Sequence, residues 1–232
     1  MKPLLCTIIL AAGISAAQSS VVLTSSASAP IPGLYDQYSF VNDAIISGGN
    51  YPYNVSAYSD RTPGQSFTTP TGGGYSLTSF SLLGSGDADG LNDATWTIQV
   101  GTVSLAGSTV TFTPLLTVNN VATPVSIAST DWLTWTFTGA DVLTLDPNTM
   151  YGIQVVNSAG YMGFAAATSN TPYAAGYAFA ASQVGWSEYP NPVNFGYDRT
   201  FVVGLSAVPE PASSLLLMGG LGLMTWRMRR NR

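Results

Sequence analysis

The sequence has no histidine, one cysteine (Cys6) and one lysine (Lys2), and only 8% of its 232 residues are charged. Each shortage closes off a chemistry. Without histidine there is no Ser-His or Cys-His nucleophile pair, and no His- or Cys-ligated zinc centre. A lone cysteine forbids an intrachain disulfide. Because Lys2 is the only lysine, no phosphate-cradling glycine loop that ends in lysine can be built in the body. Between Gln18 and Pro211 stand twelve acids and only two bases, Arg61 and Arg199, a net charge of −10. A nucleic-acid binder needs the opposite sign, so nucleic acid is excluded as a partner.

The other five basic residues sit at the two ends. Lys2 precedes an apolar run from Leu4 to Ile14, and the small residues Ser15, Ala16 and Ala17 follow. That order is the charged, apolar and small-residue order of a secretory signal peptide, with cleavage after Ala17. The run is too short to span ~30 Å of hydrocarbon at ~1.5 Å per residue. Ala27-Ser28-Ala29 also has the small-x-small pattern, but Pro30 would follow that cut. Cys6 lies inside the apolar run and leaves with the peptide.

At the other end, Val208-Pro209-Glu210-Pro211 leads into an apolar stretch, 212–226, closed by Arg227, Arg229, Arg230 and Arg232. As a helix the stretch spans about 22 Å, short for a bilayer but sufficient with local thinning and snorkelling arginines. The arginines act as the membrane stop and hold the cytoplasmic side. The tail therefore reads as a weak, outside-to-inside anchor in the inner membrane. This tripartite tail resembles the PEP-CTERM sorting signal of Gram-negative bacteria: the Pro209-Glu210-Pro211 triplet, the short Gly- and Leu-rich span and the arginine cluster, in that order. The resemblance implies recognition by an exosortase, a membrane-embedded cysteine protease or transpeptidase. The tail would be removed and the protein passed to the cell surface or extracellular polymer. On that reading Pro209, Glu210 and Pro211 are a cleavage signal and catalyse nothing.

The body is all-β. Trp96, Ile98 and Val100 alternate with polar residues, as do Val110, Phe112, Leu116 and Val118. Leu133, Trp135 and Phe137 repeat the pattern, followed by Tyr151, Ile153 and Val155 and then Phe201, Val203 and Leu205. Period two with β-branched and aromatic residues marks half-buried strands. Gly, Pro, Asn and Asp punctuate at strand-like intervals, so about eight to eleven short strands in a single antiparallel β-sandwich or jelly-roll-like domain are expected. The expected organisation is a signal peptide over 1–17, a flexible Ser-, Ala- and Pro-rich leader over 18–33, the sandwich over 34–207 and the sorting signal with its membrane helix over 208–232.

Parity slips at two places. Tyr75 and Leu77 share one phase while Phe80 and Leu82 take the other, which predicts a bulge near Ser79. Around Gly101 the phase passes from Val100 to Val103 and Leu105, where glycine permits a bulge or bend. Leu143 to Tyr151 reads as a tyrosine corner, in which the tyrosine hydroxyl bonds to upstream backbone. Together with Gln65–Thr69, Tyr75–Phe80 and Trp135–Thr138, the stretch Leu145 to Tyr151 resembles the choice-of-anchor domains, most closely type R. Those are extracellular β domains with interchangeable C-terminal anchors, and the resemblance implies a surface domain.

Three sets of residues carry candidate chemistry. Asp87, Asp89 and Asp93 in the glycine-rich segment 84–93 could supply carboxylates to calcium, which takes six to eight oxygens. The spacing is not that of an EF-hand, and a solvated hairpin loop is the plainer reading of Asp-Gly and Asn-Asp pairs. Tyr177, Trp186 and Tyr189, in an aromatic-dense third, could stack on sugar faces, although packing is the commoner use of such rings. Glu188, set between aromatic residues, is the one acid whose surroundings suggest a raised pKa, but no second acid is singled out for a glycosidase pair. The leading expectation is a non-enzymatic, exported surface or matrix protein that is structural or adhesive in exopolysaccharide or biofilm. A lectin-like glycan-binding module is the alternative, and a secreted carboxylate-dependent glycoside hydrolase comes third.

Overall fold

The computed structural model describes residues 21–41, 61–91, 94–106, 109–167, 173–182, 193–194 and 198–209. In chain order the strands are β1 (Val21–Ser26), β2 (Gln37–Ser39), β3 (Arg61–Thr68), β4 (Tyr75–Asp89) and β5 (Thr95–Ala106). They continue with β6 (Thr109–Ala122), β7 (Trp132–Phe137), β8 (Thr144–Leu145), β9 (Met150–Asn157) and β10 (Tyr161–Phe164). The last are β11 (Ala166–Ala167), β12 (Ala178–Ser182), β13 (Val193–Asn194), β14 (Asp198–Arg199) and β15 (Phe201–Ala207). Pairing is antiparallel throughout. One sheet runs β1-β7-β4-β15-β2, with β8 and β10 added to β4. A second runs β3-β9-β5-β6-β13-β12 and closes on itself because β12 pairs back to β3, and a two-stranded ribbon pairs β11 with β14. The expected sandwich is present. Its second layer is curled into a closed sheet, and three of its strands, at 12 to 15 residues, are longer than the punctuation suggested.

The core follows from the period-two residues. Trp96, Ile98, Val100, Ile153 and Val155 of one layer and Leu77, Phe80, Leu82, Trp135 and Val203 of the other are fully buried in one cluster. The Trp135 ring stacks on Phe80 at 6.0 Å and meets Trp96 edge-on at 5.5 Å. Each such side chain contributes roughly 1.5–3 kcal/mol by leaving water. A smaller cluster of Val103, Val110, Tyr177 and Phe179 is drawn from β5, β6 and β12 of the closed sheet, with Tyr177 just before β12.

Both parity slips are bulges. Leu205 faces Leu77 and Gly204 faces Ser79, so Thr78 is the unpaired extra residue of β4. Tyr75, Leu77, Phe80 and Leu82 consequently all reach the core. At Gly101 the extra residue lies on the partner strand: Val100 faces Leu116 and Gly101 faces Pro114, which leaves Leu115 over. The slip moves β5 from one cluster to the other, with Val100 in the main core and Val103 in the smaller one. Leu105, expected to point inward with Val103, is exposed. A third shift between Trp96 and Ile98 was not foreseen; beside it Asn120 sits at φ 59°, a conformation asparagine tolerates.

The tyrosine corner is formed: the Asp146 amide donates to the Tyr151 hydroxyl at 2.9 Å, and Thr149 Oγ1 donates to the Pro147 carbonyl. The flexible leader needs correction. Val21–Ser26 is a strand paired along its length with β7, and Val21 and Leu23 are buried in the core. Its Val-Val-Leu-Thr sequence is β-forming, and alternate residues face inward, which the Ser- and Ala-rich surroundings obscured. The signal peptide of 1–17 and the membrane stretch of 212–226 lie outside the described residues. Among those described, no helix is long and apolar enough to cross a membrane.

Candidate functional site

The point where the tail leaves the sandwich is built by two turns flanking β15. β15 is paired on both sides, by β4 and β2, and its pairing with β4 continues to Ala207 opposite Tyr75. One residue later the Val208 amide donates to the Gly74 carbonyl at 2.9 Å. Pro209, which has no amide proton to continue the ladder, is exposed. Tyr75 anchors the 70–74 turn by donating its hydroxyl to the Thr71 carbonyl at 3.1 Å. On the other side of β15 the Gly33–Asp36 turn is held by Asp36, whose two carboxylate oxygens accept the Gly33 and Leu205 amides, each at 2.8 Å. Tyr35 packs against Tyr75 with ring centroids 5.4 Å apart. Glu210, Pro211 and the arginines Arg227, Arg229, Arg230 and Arg232 lie outside the described residues.

The candidate calcium segment is not an isolated loop. Gly84 to Asp89 extends β4 and pairs with β10, Asp89 facing Tyr161. Gly84 approaches the Ser129 carbonyl so closely that a Cβ would collide with it. At the end of this ribbon Gly90 and Gly160 pack together, each at positive φ, where glycine alone is unstrained. Asp89 is exposed, Asp93 lies outside the described residues and the Asp87 side chain is likewise not described. Among the described residues no three His, Cys, Asp or Glu side chains stand close enough to share a metal ion.

Of the aromatic candidates, Tyr177 is only 7% exposed and belongs to the smaller apolar cluster. Its backbone is tied to β3 by reciprocal bonds: the Ser66 amide donates to the Tyr177 carbonyl and the Tyr177 amide to Ser66 Oγ, both at 2.9 Å. Burial pushes its hydroxyl pKa up, and that hydroxyl has no hydrogen-bond partner among the described residues. Tyr177 is thus a packing residue. Trp186, Glu188 and Tyr189 lie outside the described residues.

Sequence reasoning missed a buried polar cluster beside it. Gln65, Asp198 and Arg199 are all essentially inaccessible. Gln65 Nε2 donates to Asp198 Oδ1 at 3.1 Å, the Arg199 amide donates to Gln65 Oε1 at 2.8 Å, and Arg199 Nε donates to the Gly64 carbonyl at 3.3 Å. Asp198 Oδ2 accepts the Tyr173 amide at 3.1 Å. Burial raises the Asp198 pKa, and the Gln65 and Tyr173 bonds oppose it. Burial likewise pushes the Tyr173 hydroxyl far up; the Thr68 amide it accepts opposes the shift and the Asp198 carboxylate adds to it. Only the rarity of arginine in the body pointed toward this place. An open groove of about 840 Å³ between β1 and residues 117–124, at and just past the end of β6, was also not foreseen.

No curated protein and no solved structure matches the chain. The choice-of-anchor resemblance gains no support from these comparisons. The PEP-CTERM protein-sorting motif matches residues 207–231, starting at the final residue of β15. The chain is therefore an exported surface protein that carries a PEP-CTERM sorting signal and has an exosortase as its processing partner.

Proposed function

We propose that the delivered part is the β-sandwich, acting as a structural or adhesive component of the extracellular polysaccharide matrix, and that it catalyses nothing. The observation that carries this reading is the junction itself. The sorting motif begins where β15 ends, so removal of the tail beyond Val208 takes away no described strand and leaves the described core intact. The described carboxylates at Asp36, Asp131 and Asp198 support this reading too, because each is engaged with backbone amides and serves the fold. The signal peptide over 1–17 and the 212–226 anchor belong to the same proposal.

The test is where the mature protein goes. Purified mature domain mixed with the producer's extracted exopolysaccharide is expected to co-sediment with it. A domain that stays in the supernatant at every polymer concentration would overturn the matrix role. Selective retention by one sugar on a glycan array would instead favour the lectin-like alternative, for which Tyr177 is now unsuited by its burial. Calcium at Asp87, Asp89 and Asp93 is a separate proposal. It predicts a melting temperature that rises with added calcium, and identical melting in millimolar calcium and in chelator would remove it.

A further inference from the structure

Two large apolar side chains stand almost fully in water at the end of the sandwich where the tail departs: Ile31 at 95% exposure and Leu34 at 87%. Leu34 lies on the Gly33–Asp36 turn, which the Leu205–Asp36 hydrogen bond fastens to β15 two residues before Ala207. Tyr35, on the same turn, rests on Tyr75, the residue opposite Ala207. The turn that carries Leu34 and the tail exit are thus hydrogen-bonded parts of one end, and Ile31 stands two residues before Gly33. The apolar stretch of the tail starts at Ala212, three residues past Pro209. Three residues reach at most roughly 10 Å when fully extended. While the tail is held in a bilayer, this end of the domain has no room to stand off from the headgroups.

We propose that Ile31 and Leu34 dip into the outer interface of the membrane that holds the uncut tail, so that the domain docks on the lipid in one orientation before cleavage. The inference rests on reading 212–226 as a membrane anchor. The chemistry fits shallow, apolar contact. Asp36 has both oxygens engaged with backbone amides, whereas Asp146, exposed on the neighbouring corner, keeps the contact at headgroup depth. No described basic side chain sits on this turn, so the attraction is to hydrocarbon and does not require anionic lipid.

The experiment uses the exported chain from Gln18 to Arg232, which has no cysteine and keeps its tail, reconstituted into phosphatidylcholine vesicles. An environment-sensitive fluorophore is placed at Leu34→Cys. A control carries it at Val125→Cys, a fully exposed residue near the opposite end of β1. Flotation reports anchoring, and emission together with quenching by lipid-borne bromine reports immersion. The expected result is a blue shift and several-fold stronger quenching at position 34 than at position 125, unchanged by salt. A chain that floats but shows equal emission and quenching at both positions would overturn the docking while leaving the anchor intact. A chain that does not float would overturn the anchor reading, and the docking with it. A shift at position 34 that needs added exosortase and is absent in lipid alone would assign the surface to the enzyme and overturn the membrane contact.

Discussion

The Gln65 side chain donates from Nε2 to Oδ1 of Asp198 across 3.1 Å, with both side chains withdrawn from solvent. The bond joins β3, at the seam where the second sheet closes, to β14. A carboxyl buried in this way binds its proton more tightly in the folded chain than in the unfolded one, because burial raises its pKa from the ordinary 3.8. Its contribution to stability is fully present below that ordinary value and is lost as pH rises through the folded-state pKa. Asp198→Asn removes the titration. The melting temperature of the wild type minus that of the variant should therefore fall as pH climbs from below 3.8 into the range just above it. A constant difference across that window would show that Asp198 titrates as an ordinary aspartate.

The corner at Tyr151 gives a second prediction. Tyr151→Phe leaves the Asp146 amide without its acceptor and should cost about 1–2 kcal/mol in a denaturant melt. Tyr75→Phe removes only a donor to the Thr71 carbonyl on an exposed turn, so it should cost less, about 0.5–1 kcal/mol. Equal losses would mean that the corner is no stronger than an ordinary turn bond.

The bulge opposite Gly101 gives a third. A Cβ there would run into the Thr113 carbonyl and press on the Pro114 Cα at 2.9 Å, backbone that cannot swing aside. Gly101→Ala should destabilise by about 1–3 kcal/mol. The check is chemical denaturation beside Gly33→Ala, where the nearest atoms are 3.5 Å away in the Asp36 carboxylate.

At the two ends the predictions concern cutting. A chain ending at Pro209 keeps every described bond of β15, including Val208 to Gly74, and should melt with the full-length chain and be released to the medium. A chain ending at Gly204 loses the pairs of Leu205, Ser206 and Ala207 with β4 and should melt earlier. Surface-extracted protein should lack peptides spanning Leu215 to Arg227; their dominance in mass spectra would mean that the tail is kept.

The N-terminus of the exported protein should be Gln18. Cleavage after Ala29 would strip away β1 and with it the buried side chains of Val21 and Leu23. N-terminal sequencing of secreted protein decides between the two cuts.

The residues differ in how openly they advertised their roles. Alternation marked Trp96, Ile98 and Val100 because burial on one face of a strand imposes period two, and a bulge breaks that period where Phe80 follows Leu77. Tyr151 was legible because a corner needs its turn close by in sequence. Closure of the second sheet was not, because it depends on β12 finding β3 more than a hundred residues away. Nor was the Gln65–Asp198–Arg199 cluster, whose members are joined across 133 positions. The aspartates of 84–93 looked like a loop because glycine density signals turns, yet Gly84 is there to let strand β4 pass the Ser129 carbonyl. The PEP-CTERM tail was the plainest of all, since the Pro-Glu-Pro triplet, the apolar stretch and the arginines of the sorting motif are contiguous in sequence.

The placement of β15 also sets a timetable. β1 waits for β7, more than a hundred residues downstream, and β2 and β4 are joined only through β15. Until residues 201–207 have crossed the membrane, the first sheet exists only in pieces, and contacts this distant in sequence form slowly. The last described strand in chain order is thus the one that completes the first sheet, so that sheet closes only once the residues just before the sorting motif have emerged.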